Sequence, residues 1–325
     1  MFSIDEILSV DSASFEDYAL RLFKFQAENC VPYRDYIALL GVDVESVKTL
    51  NDIPFLPIEL FKTHKIYCSK SEPEIIFTSS NTGGANPSKH YMAHTEIYEK
   101  AFLRAFEIFY SSPRDVSIYG LLPNYLEREG SSLVYMVDSL IKQNKYGRGG
   151  FYLDNYQALI EDMASDSAPK ILLGVSYALW DLAEQYPGKV AGENTIIMET
   201  GGMKGRREEL SKDEFHAILT SGFGCESIHS EYGMAELTSQ AYSFGGGIFR
   251  APGWMKILIR DLNNPFAIGE STRGGVNIID LANIYSCAFI QTQDIGRVFK
   301  DGTFSILGRN EHSEIRGCNL LVASR

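Results

Sequence analysis

The sequence predicts an α/β fold, with parallel sheets covered by helices and a β-rich C-terminal part. Three observations carry this prediction. From residue 74 onward, short apolar runs alternate with amphipathic stretches of helical period, the pattern of a parallel sheet covered on both faces. After residue 240 the helical period vanishes and strand-like runs follow one another. With 325 residues, 45% hydrophobic and 22% charged, the chain can bury a sizeable core as one large domain or two medium ones.

The elements follow in order. Residues 1–72 read as a helical N-terminal portion, with Phe15, Leu20, Leu22 and Phe23 on one helix and Tyr36 to Leu40 ending another. IPFLPIELFK (53–62) carries two prolines and reads as an extended connector. In the α/β part, 73–240, PEIIFTSS, DVSIYGLL, APKILLGV, NTIIMETGG and CESIHSEYG read as strands. The stretches 94–110, 131–143, 176–186 and 211–221 read as helices, the last with Ser211 as N-cap and Glu214 three residues on. The β-rich part with a short tail, 241–325, holds four strand-like runs, two of them joined by an Asp-Gly hairpin turn in FKDGTF. With no linker of low complexity, the three parts are expected to form one continuous large domain.

Composition narrows the partners. A net charge of −12 repels phosphate backbones, so nucleic acid is not expected as a partner. Five scattered cysteines without a CxxC pair suit a reducing compartment. The N-terminus lacks a signal-peptide pattern, and no stretch of 18 apolar residues is present, so the expectation is a cytoplasmic protein without a membrane span.

Four segments carry chemistry. TSSNTGGANPSKHY (78–91) is a Ser/Thr/Gly loop ending in Lys89; its backbone N–H groups and hydroxyls suit phosphate oxygens, although it lacks Walker A spacing. SEYGMAELTS (230–239) offers Tyr232 to a base and Glu236 to a magnesium ion, against the plain reading of a solvated helix glutamate. QTQDIGRV (291–298) places Asp294 just past a strand, where a carboxylate accepts both hydroxyls of a ribose. LGRNEHSEIRG (307–317) adds Arg309, suited to the sugar or a phosphate. Singly, each segment reads equally well as a turn.

In this order the four segments resemble the adenylate-forming superfamily, from about residue 75 to the end. The resemblance implies ATP and Mg²⁺ as cofactors and a carboxylic acid as substrate. It implies that Thr78, Ser79, Ser80, Thr82, Gly83 and Lys89 form the phosphate loop, and that Gly201 and Gly202 of METGGMKG line the adenine site with Tyr232 and Gly233. Glu236 is implied as the Mg²⁺ carboxylate, Asp294 as the ribose aspartate and Arg309 as the arginine after the last motif glycine. The phosphate loop departs from the family pattern, and Gln293 stands where a glycine is usual. Typical members continue for roughly a hundred residues as a mobile domain bearing a catalytic lysine; here 16 residues follow Arg309, so the full mobile domain is expected to be lacking. The ending RGCNLLVASR resembles the acyl-protein synthetase branch. That implies transfer of a fatty acyl group to Cys318, with Arg316 lowering its pKa, and an acyl-CoA reductase or other acyl-acceptor protein as partner. The alternative for Cys318 is a small buried hydrophobe.

Other readings remain open at this point. An aryl or phenylacetate-type acid–CoA ligase would keep the same motifs. A non-catalytic nucleotide- or acyl-AMP-binding protein would keep the site without turnover. Gly-x-Ser-x-Ala at 174–178, with His216, His229 and His312 downstream, approximates an α/β-hydrolase elbow. GFGCES (222–227) reads as a helix C-terminal turn rather than a dinucleotide loop, and His90 with His94 as solvated residues rather than a zinc pair. Phe102, Phe106, Tyr119, Tyr177 and Trp180 suit an apolar pocket or simply the core.

Overall fold

The computed structural model describes residues 2–79, 86–123, 130–190, 192, 194–203, 206–208, 210–264 and 266–309. The N-terminal portion forms α1 (Ile4–Ile7), α2 (Phe15–Asn29) and α3 (Val31–Leu39). Phe15, Ala19, Leu22 and Phe23 recur along one face of α2 and are buried, as the helical period demands. Phe23 and Tyr33 of these helices contact Phe289, with ring centroids 6.0 and 6.2 Å apart. Buried Gln26 adds three hydrogen bonds to the backbone of Asn283, Ile284 and Ala288. The expected extended connector is divided into β1 (Leu56–Pro57) and a helical turn, α4 (Leu60–Thr63). Pro54 and Pro57 bias the residues before them toward extended backbone, and nothing after Pro57 prevents the turn.

β2 (Ile75–Thr78) and β3 (Lys89–Met92) form a separate antiparallel pair, with Thr78 opposite Lys89. IIFT is therefore a strand, as expected, but not part of the parallel sheet. Then follow α5 (Thr95–Tyr110), β4 (Ser117–Leu121), α6 (Ser132–Gln143), β5 (Gly149–Tyr152) and α7 (Tyr156–Ser165). After these come β6 (Lys170–Val175), α8 (Ser176–Gln185), β7 (Thr195–Thr200), α9 (Lys212–Phe223) and β8 (His229–Tyr232). Both expected signals at α9 are present. Ser211 and Glu214 form a capping box, and Gly224 closes the helix in the left-handed region at φ 73°.

The β-rich part contributes β9 (Ala241–Ser243), β10 (Phe249–Arg250), β11 (Met255–Arg260), β12 (Arg273–Asp280), β13 (Phe289–Val298) and β14 (Phe304–Arg309). Asp301-Gly302 turns β13 into β14, with Gly302 at φ 82°. One twelve-stranded sheet runs β11-β12-β13-β14-β10-β9-β8-β7-β6-β4-β5, with β1 beside β13. Its β5-β4-β6-β7-β8 section is parallel, and from β9 onward the neighbours along this order are antiparallel, while β1 runs parallel to β13. Every residue of β4 and β6 is buried, as expected of strands with both faces covered. The carboxyl ends of β7 and β8 deliver the Gly201-Gly202 and Tyr232-Gly233 segments to one edge of the sheet, where open α/β sheets bind ligands.

Among the described residues no helix is long and apolar enough to cross a membrane.

Candidate active site

The neck of the Ser/Thr/Gly loop is closed by backbone and hydroxyl contacts. Ser79 N donates to Ser88 O at 3.1 Å, Ser88 N donates to Ser79 Oγ at 2.9 Å, and Thr78 N donates to Gly130 O at 2.7 Å. Thr78, Ser79 and exposed Lys89 are thus held at the ends of the β2–β3 pair. Ser80, Thr82 and Gly83 lie outside the described residues.

Glu236 does not sit on a solvated helix. It occupies a turn between β8 and β9 and is 5% exposed. Burial pushes its carboxyl above the ordinary range; the Ser88 hydroxyl, Arg309 and Lys62 pull the other way without offsetting it. The turn is fixed from three sides. His90 Nδ1 lies 2.9 Å from Ala235 O, and Asn283 Nδ2 donates to Glu236 O at 2.9 Å. Asp280 accepts from Thr238 N, Ser239 N and the Ser239 hydroxyl at 2.7–2.9 Å. His90 is therefore a strand residue, 1% exposed and held near pKa 4 by burial, not a solvated partner of His94. His94 instead pairs with Glu74 at 3.1 Å. Among the described residues no group of three His, Cys, Asp or Glu side chains is arranged to hold a metal ion.

Asp294 lies within β13 rather than past its end, because pairing with β12 and β14 carries the strand on to Val298. Tyr232 Oη donates to Asp294 Oδ2 at 2.7 Å, while Arg309, opposite Asp294 in the register, brings Nε to 3.6 Å from Oδ1. Burial still holds the Asp294 carboxyl above its usual range, against the Tyr232 hydrogen bond and the charges of Arg309 and Arg260. The Tyr232 ring packs against both Phe249 and Phe304, at 5.8 and 5.7 Å, and those two rings stack on each other. A Cβ at Gly233 would overlap Glu231 Oε1, so only glycine fits there without displacing the glutamate. Gly201 turns at φ 71°, again left-handed, and its carbonyl lies 3.1 Å from Ser176 Oγ. Gly202 has open space where a side chain would be.

Thr78, Ser79, Lys89, Tyr232, Gly233, Glu236, Asp294 and Arg309, separated widely in sequence, are thus tied together by direct contacts and by fields. Gly201 and Gly202 end the neighbouring strand. Gln293, which replaces the usual glycine, donates from Nε2 to Glu59 Oε1 at 2.7 Å and so anchors the connector to β13. That contact, Asn283, Asp280 and Lys62 escape a motif search; the only sequence signal is polar residues placed beside apolar runs.

The hydrolase reading is excluded by geometry. Ser176 does follow a strand and start a helix, but it is 2% exposed, and its Oγ lies 3.1 Å from Glu199 Oε2. His216 Nε2 faces Glu199 and Ser230, at 3.5 and 3.4 Å. Glu199 is bound to Lys212 at 2.6 Å and held near pKa 2 despite the opposing effect of burial, which makes this a locked structural cluster. Phe102, Phe106, Tyr119 and Tyr177 are core residues, and Trp180 lies beneath the Arg207 guanidinium at 4.5 Å.

The comparisons show that the chain shares its fold with solved ATP-using ligases and synthetases, in keeping with the resemblance carried by the four motifs. No protein-family profile matches the chain. A long-chain-fatty-acid–luciferin-component ligase of Vibrio harveyi is 24% identical over 326 residues, spanning 93% of this chain and 85% of that protein. Among solved structures, ATP-bound MatB from Rhodopseudomonas palustris superposes with TM-score 0.54 at 15% identity, covering 72% of this chain and 47% of MatB. The amide bond synthetase McbA of Marinactinospora thermotolerans gives 0.52 at 16%, over 72% and 48% of the two chains. The luciferase-like enzyme of the mealworm Zophobas morio gives 0.52 at 15%, over 83% and 61%. The chain spans about half the length of the first two structures.

Proposed function

We propose that this chain is an ATP-dependent ligase of the acyl-protein synthetase type that activates a fatty acid and passes the acyl group to a thiol. The observation that carries the reading is the Tyr232–Asp294–Arg309 contact beside buried Glu236 and Ser88, at the neck of the Ser/Thr/Gly loop. The substrate carboxylate attacks the α-phosphorus of ATP, the bond to the β-phosphate breaks, and pyrophosphate leaves with the acyl-adenylate formed. The thiolate then attacks the acyl carbon and AMP leaves.

Asp294 is suited to the ribose hydroxyls, with Tyr232 orienting its carboxylate. Thr78, Ser79 and Lys89, with Ser80, Thr82 and Gly83 of the same loop, are suited to the phosphates. Gly201, Gly202 and Gly233 leave room for the adenine. Glu236 is a buried carboxylate whose cationic neighbours do not offset burial, and this fits a Mg²⁺ ligand. When bound, Mg²⁺ supplies positive charge to the phosphate oxygens.

The acyl acceptor within the chain is Cys318, which lies outside the described residues. Burial raises the pKa of Cys30, Cys68, Cys225 and Cys287, so none of these four is an activated thiolate. Cytoplasmic location and hand-over to an acyl-CoA reductase or another acceptor protein complete the proposal. Intact-protein mass spectrometry after incubation with ATP, Mg²⁺ and fatty acids tests it. A hydroxylamine-sensitive acyl mass that needs ATP and disappears in Cys318→Ser is expected. Acid-dependent pyrophosphate release without an adduct would move the acceptor to a soluble thiol such as coenzyme A. No release with fatty or aryl acids would favour a binding protein without turnover.

A further inference from the structure

The connector that precedes the α/β part is bound to the strand that carries Asp294. β1 pairs with β13 at Ile290 and Gln291, Ile58 N donates to Gln291 O at 3.0 Å, and Gln293 reaches Glu59 at 2.7 Å. These anchors follow one another along β13, so α4 begins in a fixed place. Buried Phe61 then sets its ring edge against His90, with centroids 6.3 Å apart, and His90 holds the carbonyl of the residue before Glu236. Lys62, next in the chain, is partly buried, and its positive charge acts on the Glu236 carboxylate. α4 packs against β3, so Lys62 stands near the β3 end of the phosphate-loop neck.

An acidic chain that binds a triphosphate must gather cations at one place. Arg309 is 64% exposed at its side chain and Lys89 is exposed, so solvent and salt screen both. A partly buried ammonium is screened less.

We infer that Lys62 contacts the phosphates of ATP, so that the N-terminal segment supplies a cation to the active centre. The inference rests on the adenylation reading. It assigns the connector a direct part in nucleotide binding.

Titration calorimetry with Mg-ATP and with adenosine tests it on the full chain, with Lys62→Gln and Lys62→Arg as variants and melting temperatures as a check on folding. Lys62→Gln should weaken Mg-ATP binding about tenfold, the loss of one charge-assisted contact, and leave adenosine binding unchanged. Lys62→Arg should recover most of the loss. Unchanged Mg-ATP affinity in Lys62→Gln overturns the inference, and so does an equal loss for ATP and adenosine, which would mark a structural role. If the wild type binds adenosine and Mg-ATP equally, or neither, the adenylation reading itself falls.

Discussion

Removing one oxygen, in Tyr232→Phe, tests the heart of the candidate site. The hydroxyl donates to Asp294 Oδ2 at 2.7 Å, and Asp294 is 13% exposed at its side chain, so water cannot replace the donor freely. A hydrogen bond to a charged, buried acceptor is worth about 1.5–3 kcal/mol. Phenylalanine keeps the ring against Phe249 and Phe304, so packing changes little. The lost donor should raise the Asp294 pKa further, because the Tyr232 hydrogen bond favours the charged carboxylate against burial. The bond favours the charged carboxylate, so its loss should cost most at high pH and shrink as Asp294 becomes protonated. Urea unfolding of the wild type, Tyr232→Phe, Asp294→Asn and the double variant at pH 8 and pH 5 gives the coupling directly. A coupling of about 1–2 kcal/mol at pH 8 that falls at pH 5 is expected. A coupling below about 0.5 kcal/mol at both values would refute the argument that the tyrosine holds this carboxylate.

Three further outcomes follow from the same contacts. Buried His90 has its pKa lowered from 6.5 to about 4, so its neutral form is favoured in the fold. That contribution is present above pH 6.5 and disappears as pH falls toward 4, by up to roughly 3 kcal/mol; a His90→Gln variant should show a flatter urea-stability profile in this window, and an unchanged profile would contradict the assignment. Glu231 is shifted the opposite way, from 4.5 to about 7 by burial, with Glu199 adding to the rise. Its carboxyl becomes costly as pH climbs through 7, so Glu231→Gln should gain melting temperature over the wild type at pH 8 and not at pH 4. Gly233→Ala forces a Cβ onto Glu231 Oε1, on a carboxylate whose other oxygen, Oε2, accepts from the Thr200 hydroxyl, and should cost about 1–3 kcal/mol in thermal unfolding; a variant as stable as the wild type would show that the glutamate swings away freely.

Much of the architecture was legible because local and global signals agree. Apolar runs such as KILLGV and IIMET can only be covered strands, the Ser211/Glu214 box marks α9, and Asp301-Gly302 marks the last hairpin. What escaped was decided by partners distant in sequence. IIFT reads like a parallel strand, but its partner KHYM sits across the Ser/Thr/Gly loop and carries a lysine and a histidine that weaken its strand pattern. GGFY begins with two glycines, which hides β5. Within the site, the motif residues were visible as a set, whereas their burial was not. Glu236 reads as a surface glutamate until Asn283 and Asp280 bind its turn, and Asn283 reads as a loop residue until α2 brings Gln26 to its carbonyl.

The most direct measurement is fatty-acid-dependent exchange of labelled pyrophosphate into ATP, by the wild type and by Glu236→Gln. The account predicts exchange that requires both a fatty acid and Mg²⁺, and a loss of at least about a hundredfold in Glu236→Gln with the fold retained, as removal of a group that stabilises transition-state charge should give. Exchange that proceeds undiminished in Glu236→Gln, or no exchange by the folded wild type with any acid, would contradict it.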